Sequence, residues 1–303
     1  MIWLTAEEMA RAVDMSGAVR VVQRGLEGDV DPSRDFARTI IELEHGQLLY
    51  MPSAIGDYVG AKVSTVAPEN PSRGLDRIQG IYVLLDAATL SPLALIDGSA
   101  LTALRTPAVS AAVADHLAPP SVEHLVVFGA GVQALGHIEA LQAVREVGRV
   151  TVVGRDPRRT KDLVALLEGR GAAARVGRPS DVRDADVVVC ATTSRSPVVD
   201  GSLVSDGTLV IAVGSHEPDA RELDTALVER AQVVVEDPAM ALRESGDVLT
   251  PVREGRLDPA SLVAMRDVVR GYVHASPDRP RVFKSSGMPW QDLVVAVEIY
   301  ESL

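Results

Sequence analysis

The sequence predicts an α/β protein: a doubly wound parallel sheet of Rossmann type, joined to a smaller α/β domain. Three observations predict it. An apolar run at 125–128 ends in Gly129-Ala-Gly-Val-Gln-Ala134, the pattern G-x-G-x-x-A, with helix-like sequence beyond. From Val122 onward, apolar runs of strand length alternate with helix-length segments, as in parallel sheets with crossover helices. Before that point, strand-length runs are joined by hairpin-length connections, which marks a separate mixed or antiparallel sheet. A length of 303 residues suits two domains.

The glycine turn is specific in its physics. Gly129 permits the tight turn, Gly131 lets backbone approach a pyrophosphate, and Ala134 lets the helix pack close to the strand. The helix N-terminus then offers unpaired N–H groups to the anion. An ordinary βα turn built of small residues is the alternative; the next strand at 150–153 favours dinucleotide binding.

In chain order, residues 1–25 predict a short strand and a helix, with Thr5 and Glu8 forming a capping box. Residues 28–34 are loop-like. Runs at 39–41 and 48–50 predict a hairpin closed by Met51-Pro52. Further strands are expected at 58–66, 79–85 and 92–96, the first carrying Lys62 at its middle. Residues 100–117 predict a helix interrupted near Pro107. Ala118-Pro-Pro-Ser121 is the clearest boundary, giving one domain of 1–118 with 284–303 and another of 119–283. Within the second, strands are expected at 125–128, 150–153, 173–176, 187–191, 209–213 and 233–235, with helices to 147 and over 160–170. Residues 282–290 are expected as a compact loop before a C-terminal helix from about 290 to 303, which must dock on the first domain or on a partner subunit.

Composition narrows the function. The hydrophobic share of 47% and charged share of 24% are those of a soluble globular protein. Only 3% of residues are aromatic, so the core is built from Val, Leu, Ile and Ala, and stacking platforms for nucleic acid are disfavoured. The net charge of −12, with no basic run, argues against nucleic acid or an anionic membrane as partner. The single cysteine, Cys190, sits in an apolar run and is expected as a buried small hydrophobe. No leader peptide, membrane span or metal site is expected, and a cytoplasmic location follows.

The end of the second strand selects the nicotinamide cofactor. An acidic residue there would accept the ribose hydroxyls of NAD; Gly154 holds the place instead, followed by Arg155-Asp-Pro-Arg-Arg159. Arg155 with Arg158 or Arg159 can pair the extra phosphate of NADP, so NADP is expected over NAD, while Asp156 keeps NAD open. Lys62 lies in a strand of small and apolar residues, where a charge is costly without a partner unless it alternates to the surface. Arg105 is either a ligand-binding cation or a surface arginine at a helix start.

The run Asp97-Gly-Ser-Ala-Leu-Thr-Ala-Leu-Arg-Thr-Pro-Ala-Val-Ser-Ala111 resembles the signature D-G-x-x-[IL]-T-x-x-R-T-x-A-x-S-A of the ornithine cyclodeaminase/mu-crystallin family. Met51-Pro52, Gly60-Ala-Lys62 with Asn70, the 129–134 turn, Val213-Gly-Ser215 with Arg221-Glu-Leu-Asp224, and Phe283-Lys-Ser-Ser-Gly287 agree in order. The resemblance implies a homodimer, an α/β substrate domain carrying the dimer interface, and a small amino or imino acid as substrate. It implies that Arg38, Lys62 and Arg105 hold the substrate carboxylate, a task suited to paired cations, and that Lys62 orients or protonates the imine nitrogen. It places Thr106, Gly129, Ala130, Gly131, Val132, Gln133, Thr192, Thr193 and Gly214 at the cofactor, beside the Arg155 already read from the strand end. Family cyclodeaminases carry Asp where this sequence has His216. That histidine can serve as acid or base but supplies no fixed negative charge; Glu217 beside it is the nearest anion. Arg77 stands where cyclodeaminases tend to have a small polar residue, and facing the pocket it would favour a second anionic group on the substrate. The expected activity is reduction of a pyrroline-2-carboxylate-like ketimine or the reverse amino-acid oxidation. The alternatives are ornithine cyclodeamination and NADPH-dependent binding of a small ligand.

Overall fold

The structure is a computed structural model that describes all residues 1–303. The chain forms two compact units, Met1–Val109 with Met288–Leu303, and Ser110–Gly287.

The first unit begins with β1 (Ile2–Leu4) and α1 (Ala6–Ala12). Thr5 caps α1 in a capping box, its side chain accepting from Glu8 N while the Glu8 carboxylate accepts from Thr5 N at 2.9 Å. The expected single helix is two, because Asp14 accepts from Gly17 N at 2.7 Å and starts α2 (Met15–Glu27) afresh. Then come β2 (Thr39–Leu43), β3 (Gly46–Ile55), β4 (Tyr58–Val66), β5 (Ile78–Asp86) and β6 (Pro92–Asp97). They form one six-stranded sheet in the order β1-β6-β5-β4-β3-β2, parallel only between β1 and β6. Met51-Pro52 does not close the hairpin: β3 runs through it to Ile55. Pairing with β2 stops at Tyr50, so Pro52 lies where its missing N–H breaks no ladder on that side.

Strand β4 alternates, with Gly60, Lys62, Ser64 and Val66 on its buried face. Lys62 therefore points inward, opposite Met51 on β3 and Tyr82 on β5. The other sheet face exposes Ile41, Tyr50 and Ile81.

Helix α3 (Gly98–Leu117) is continuous, contrary to the break expected at Pro107. A mid-helix proline costs about 3 kcal/mol or more. Leu101, Ala108, Val109, Val113 and Leu117 along this helix are fully buried, and roughly 1.5–3 kcal/mol for each large aliphatic side chain outweighs that cost. The division between the units falls inside α3, after Val109, rather than at the Pro119-Pro120 boundary suggested by the sequence. The second half of the helix is tied to the second unit: Ser110 Oγ bonds His137 Nε2 at 2.9 Å, and Arg145 pairs with Asp115. At the other end the division lies after Gly287 rather than before Lys284.

The second unit contains β7 (Val122–Phe128), α4 (Val132–Val144), β8 (Val147–Val153), α5 (Pro157–Gly169), β9 (Ala174–Val176), β10 (Val187–Cys190) and β11 (Leu209–Ala212). It continues with α6 (Thr225–Arg230), β12 (Gln232–Val235), α7 (Pro238–Glu244), α8 (Gly246–Arg253), β13 (Val263–Ala264), α9 (Met265–Val269) and β14 (Arg281–Lys284). The eight strands are parallel in the order β13-β12-β14-β11-β10-β7-β8-β9. This is the doubly wound sheet of Rossmann type that the sequence predicted. Strand order reverses between β7 and β10, and ligands bind outside the carboxyl ends of strands at such a switch point. Strand β14, expected as loop, lies inside the sheet between β11 and β12. Its apolar core is only Val282-Phe283, and the flanking Arg281 and Lys284 disguised it, although both are buried. Cys190 is fully buried, as expected.

The chain ends in α10 (Pro289–Glu301), which belongs to the first unit and packs on β3, β4 and α2. Glu298 pairs with Arg24 at 2.7 Å, and Tyr58 Oη donates to Glu301 at 2.9 Å. No helix is long and apolar enough to cross a membrane.

Candidate active site

The first unit buries a charge cluster. Lys62 Nζ donates to both carboxylate oxygens of Asp292 at 2.8 and 2.9 Å and to Thr102 Oγ1 at 3.2 Å. Arg105 Nε donates to Asp292 Oδ1 at 3.1 Å and its Nη1 to Gln291 Oε1 at 2.8 Å, using two of five N–H donors. Lys62 is 2% exposed, Arg105 5% and Asp292 0%. Burial pulls the Lys62 ammonium down to about 8, although the Asp292 charge opposes that shift; Arg105 and Arg38 add to it. One carboxylate thus faces two buried cations, with half-buried Arg38 acting on the same ammonium. Such an imbalance suits an incoming anion.

Elements around the cluster fix its shape. Asp35 accepts from Ser53 Oγ at 2.8 Å and from Trp290 N at 2.8 Å, so it caps α10 in place of Met288, which makes no side-chain cap. Burial pushes the Asp35 carboxyl up to about 6. Tyr82 Oη is buried without a hydrogen-bond partner, and a Cβ on Gly60 would lie 2.0 Å from it. Gly60 is therefore required where β4 passes the phenol. Burial, then the nearby Asp292 and Asp35 charges, push that phenol well above its usual range.

The second unit forms a cradle at its strand reversal. Gly129 has φ +116°, and a Cβ there would lie 2.4 Å from Ala191 O, so only glycine lets the two strand ends approach. Gly131 is the N-cap of α4 without a side-chain cap, and a Cβ there would meet only Arg159 Nη2, at 3.8 Å. Open space before unpaired helix N–H groups is what a pyrophosphate needs. Val132 is exposed beside it, and Ala130 and Gln133 are half-buried; Thr106 lies in the first unit, where its Oγ1 on α3 is buried without a partner. The residues fit a dinucleotide.

At the end of β8, Gly154 has a packing reason. A Cβ there would lie 2.2 Å from Thr160 Oγ1, which donates to Asp156 O at 2.7 Å. The Asp156 carboxylate caps α5, accepting from Arg158 N at 2.9 Å and Arg159 N at 3.2 Å. Arg155, Arg158 and Arg159 are exposed around it.

Glu222 ties the ends of β10 and β11 together. It accepts from Thr192 N at 2.8 Å, Thr192 Oγ1 at 2.6 Å and Gly214 N at 2.7 Å. Burial pushes this carboxyl up to about 7. Asp247 in turn accepts from Glu222 N at 2.7 Å and lies 3.6 Å from Lys284 Nζ, which donates to Ser215 O at 2.6 Å. Thr192 and Gly214 are thus brought together, with the Thr192 hydroxyl committed to Glu222; Thr193 is exposed beside them. His216 follows on the same loop, half-buried. Glu217 is ion-paired with Arg195 at 2.5 Å. His137 in α4, buried between Gln133 O and Ser110, is held neutral by burial, which pulls it down to about 4.

Of the substrate residues named from the sequence, Lys62 and Arg105 meet on Asp292, and Arg38 acts on the Lys62 ammonium. Arg77 stands half-buried just before β5, five residues along the strand from Tyr82, about 17 Å of extended chain away from the residue opposite Lys62. Sequence reasoning missed Asp292, Gln291, Asp35, Tyr82 and Asp247, and it held Glu222 only within the stretch 221–224, without a role. An Asp in the first turn of a helix is ordinary end chemistry, which hid Asp292.

A sequence model of the ornithine cyclodeaminase/mu-crystallin family matches residues 5–303. A Delta(1)-pyrroline-2-carboxylate reductase of Bacillus cereus is 33% identical over 318 aligned positions, covering 99% of this chain and 96% of that one. The structure of the Thermococcus litoralis Delta(1)-pyrroline-2-carboxylate reductase with NADH and L-proline superposes with a TM-score of 0.94 at 30% identity, covering 100% of this chain and 97% of that one. An archaeal alanine dehydrogenase dimer with bound NAD gives 0.92 at 29% identity, covering 99% and 95%.

Proposed function

The chain belongs to the ornithine cyclodeaminase/mu-crystallin family, and we propose that it is an NAD(P)-dependent oxidoreductase acting on CH–NH or CH–NH2 groups. It reduces a small cyclic or linear α-imino acid, of pyrroline-2-carboxylate type, to the L-amino acid, or runs the reverse. The observation that carries this is the buried cluster of Lys62 and Arg105 on the single carboxylate of Asp292.

Excess positive charge around that carboxylate recognises the substrate carboxylate, with Arg105 and Arg38 as the binding cations. Lys62 then lies beside the α-carbon and its nitrogen. An ammonium brought down to about 8 is charged at neutral pH yet gives up its proton readily, which suits a general acid. Reduction of C=N consumes one hydride at carbon and one proton at nitrogen, and Lys62 supplies the proton. The nicotinamide cofactor, when bound, supplies or accepts the hydride. Gly129, Ala130, Gly131, Val132 and Gln133 would hold its pyrophosphate, and Thr106, Thr192, Thr193 and Gly214 its nicotinamide half. Arg155 and Arg159 favour NADP over NAD, since Asp156 is committed to capping α5. His216 is the second candidate acid–base, and Arg77 a candidate for a further anionic group on the substrate.

Ornithine cyclodeamination is the weaker reading. His216 stands in place of the expected aspartate, and its neighbour Glu217 is already neutralised by Arg195. A homodimer is supported by the apolar sheet face opposite Lys62, where Tyr50, Val63 and Ile81 align across β3, β4 and β5 and Tyr50 and Ile81 are 46% and 41% exposed. A second copy of that face would cover it.

The test follows absorbance of NADPH and of NADH separately with Delta(1)-pyrroline-2-carboxylate, alongside ammonia release from ornithine. Oxidation of the reduced cofactor, faster with NADPH, is expected. Ammonia and proline from ornithine without imine reduction would contradict the assignment.

A further inference from the structure

We propose that Asp292 is the positioning residue of this site: it holds the Lys62 ammonium and the Arg105 guanidinium on one carboxylate, and its charge keeps Lys62 protonated for donation to the imine nitrogen. The proposal deepens the proposed function and rests on Lys62 being the proton donor. Asp292 is fully buried, and its carboxylate accepts from these two cations.

The geometry carries it. Both Asp292 oxygens accept from Lys62 at 2.8 and 2.9 Å, and one accepts from Arg105 at 3.1 Å, so a single rigid group sets the spacing of the two cations. The group is held from behind. It lies in the first turn of α10, whose start is pinned by the bond from Trp290 N to Asp35, and the next residue back, Gln291, accepts from Arg105. The charged and titratable groups facing Lys62 are Asp292 from α10, Arg105 from α3, Arg38 from the segment before β2 and Tyr82 opposite it on β5; Asp35 stands behind Asp292. Asp292 is the one anion in direct contact with Lys62. Without it, a buried ammonium would sit among arginines and shed its proton.

The experiment measures kcat against pH for reduction of Delta(1)-pyrroline-2-carboxylate by NADPH, in wild type, Asp292→Asn and Gln291→Glu. NADPH binding, followed by cofactor fluorescence, checks that each variant is folded. The alkaline fall in kcat is expected to move at least one pH unit lower in Asp292→Asn. In Gln291→Glu, which adds a carboxylate beside Arg105, it is expected to move higher. If Asp292→Asn does not fold, the Gln291→Glu shift decides alone. A fall unmoved in every folded variant, with Lys62→Met inactive, overturns the role of Asp292 while leaving Lys62 as donor. Wild-type turnover in Lys62→Met overturns the donor assignment itself.

Discussion

The two units build their sites by opposite means. In the second unit the cradle is made of backbone and missing side chains: Gly129 at φ +116°, Gly131 facing open space, and Gly154 against Thr160. In the first unit the cluster is made of long charged side chains driven into a sheet face, where Lys62 and Asp292 are almost fully enclosed. A backbone cradle depends on local geometry, so a few consecutive residues specify it. A buried charge cluster depends on residues from four segments, and each is costly unless the others are in place. The cradle should therefore fail by steric change at one position, and the cluster by loss of any one charge.

The largest effect is expected from the cluster. Lys62→Met should lower turnover by about 10²–10⁴-fold, the usual worth of a positioned general acid. NADPH affinity measured by fluorescence should stay within about twofold, since Lys62 lies in the first unit; an equal loss of both would erase the contrast between the units. Gly129→Ala should do the reverse. A Cβ 2.4 Å from Ala191 O at a left-handed φ costs about 1–3 kcal/mol. The result should be a weaker Kd for NADPH and a lower Tm, with Lys62 chemistry intact at saturating cofactor. The smallest change sharpens the cradle. Arg159→Ala should reduce the preference for NADPH over NADH by about tenfold, roughly 1.4 kcal/mol, measured as the ratio of kcat/KM values. An unchanged ratio would move phosphate recognition to Arg155 or Arg158.

The same contrast explains what was legible in the sequence. Gly129, Gly131 and Ala134 announced the cradle because their spacing is a property of one turn, and the run of small and apolar residues around Lys62 marked β4 correctly. Strand β14 was lost because only Val282 and Phe283 are apolar in it, while Arg281 and Lys284 are buried by partners distant in sequence. Pro107 misled because burial along α3 overrides a local rule. Lys62 and Arg105 were named, yet whether they faced the core was open until the sheet put Lys62 opposite Tyr82 and α10 brought Asp292 to both. The partner lies 230 residues away in sequence, and no local pattern encodes that meeting. The role of Glu222 was hidden in the same way, since its three donors come from the ends of two other strands.

The most direct measurement is the pH profile of wild-type imine reduction at saturating NADPH and Delta(1)-pyrroline-2-carboxylate. A donor ammonium at about 8 is charged below that pH and neutral above it. Reduction should thus be level through neutrality and fall about tenfold per unit once the pH passes 8. A rate that stays level well above pH 8, or a fall that persists unchanged in an active Lys62→Met variant, would contradict the assignment of Lys62 as the proton donor.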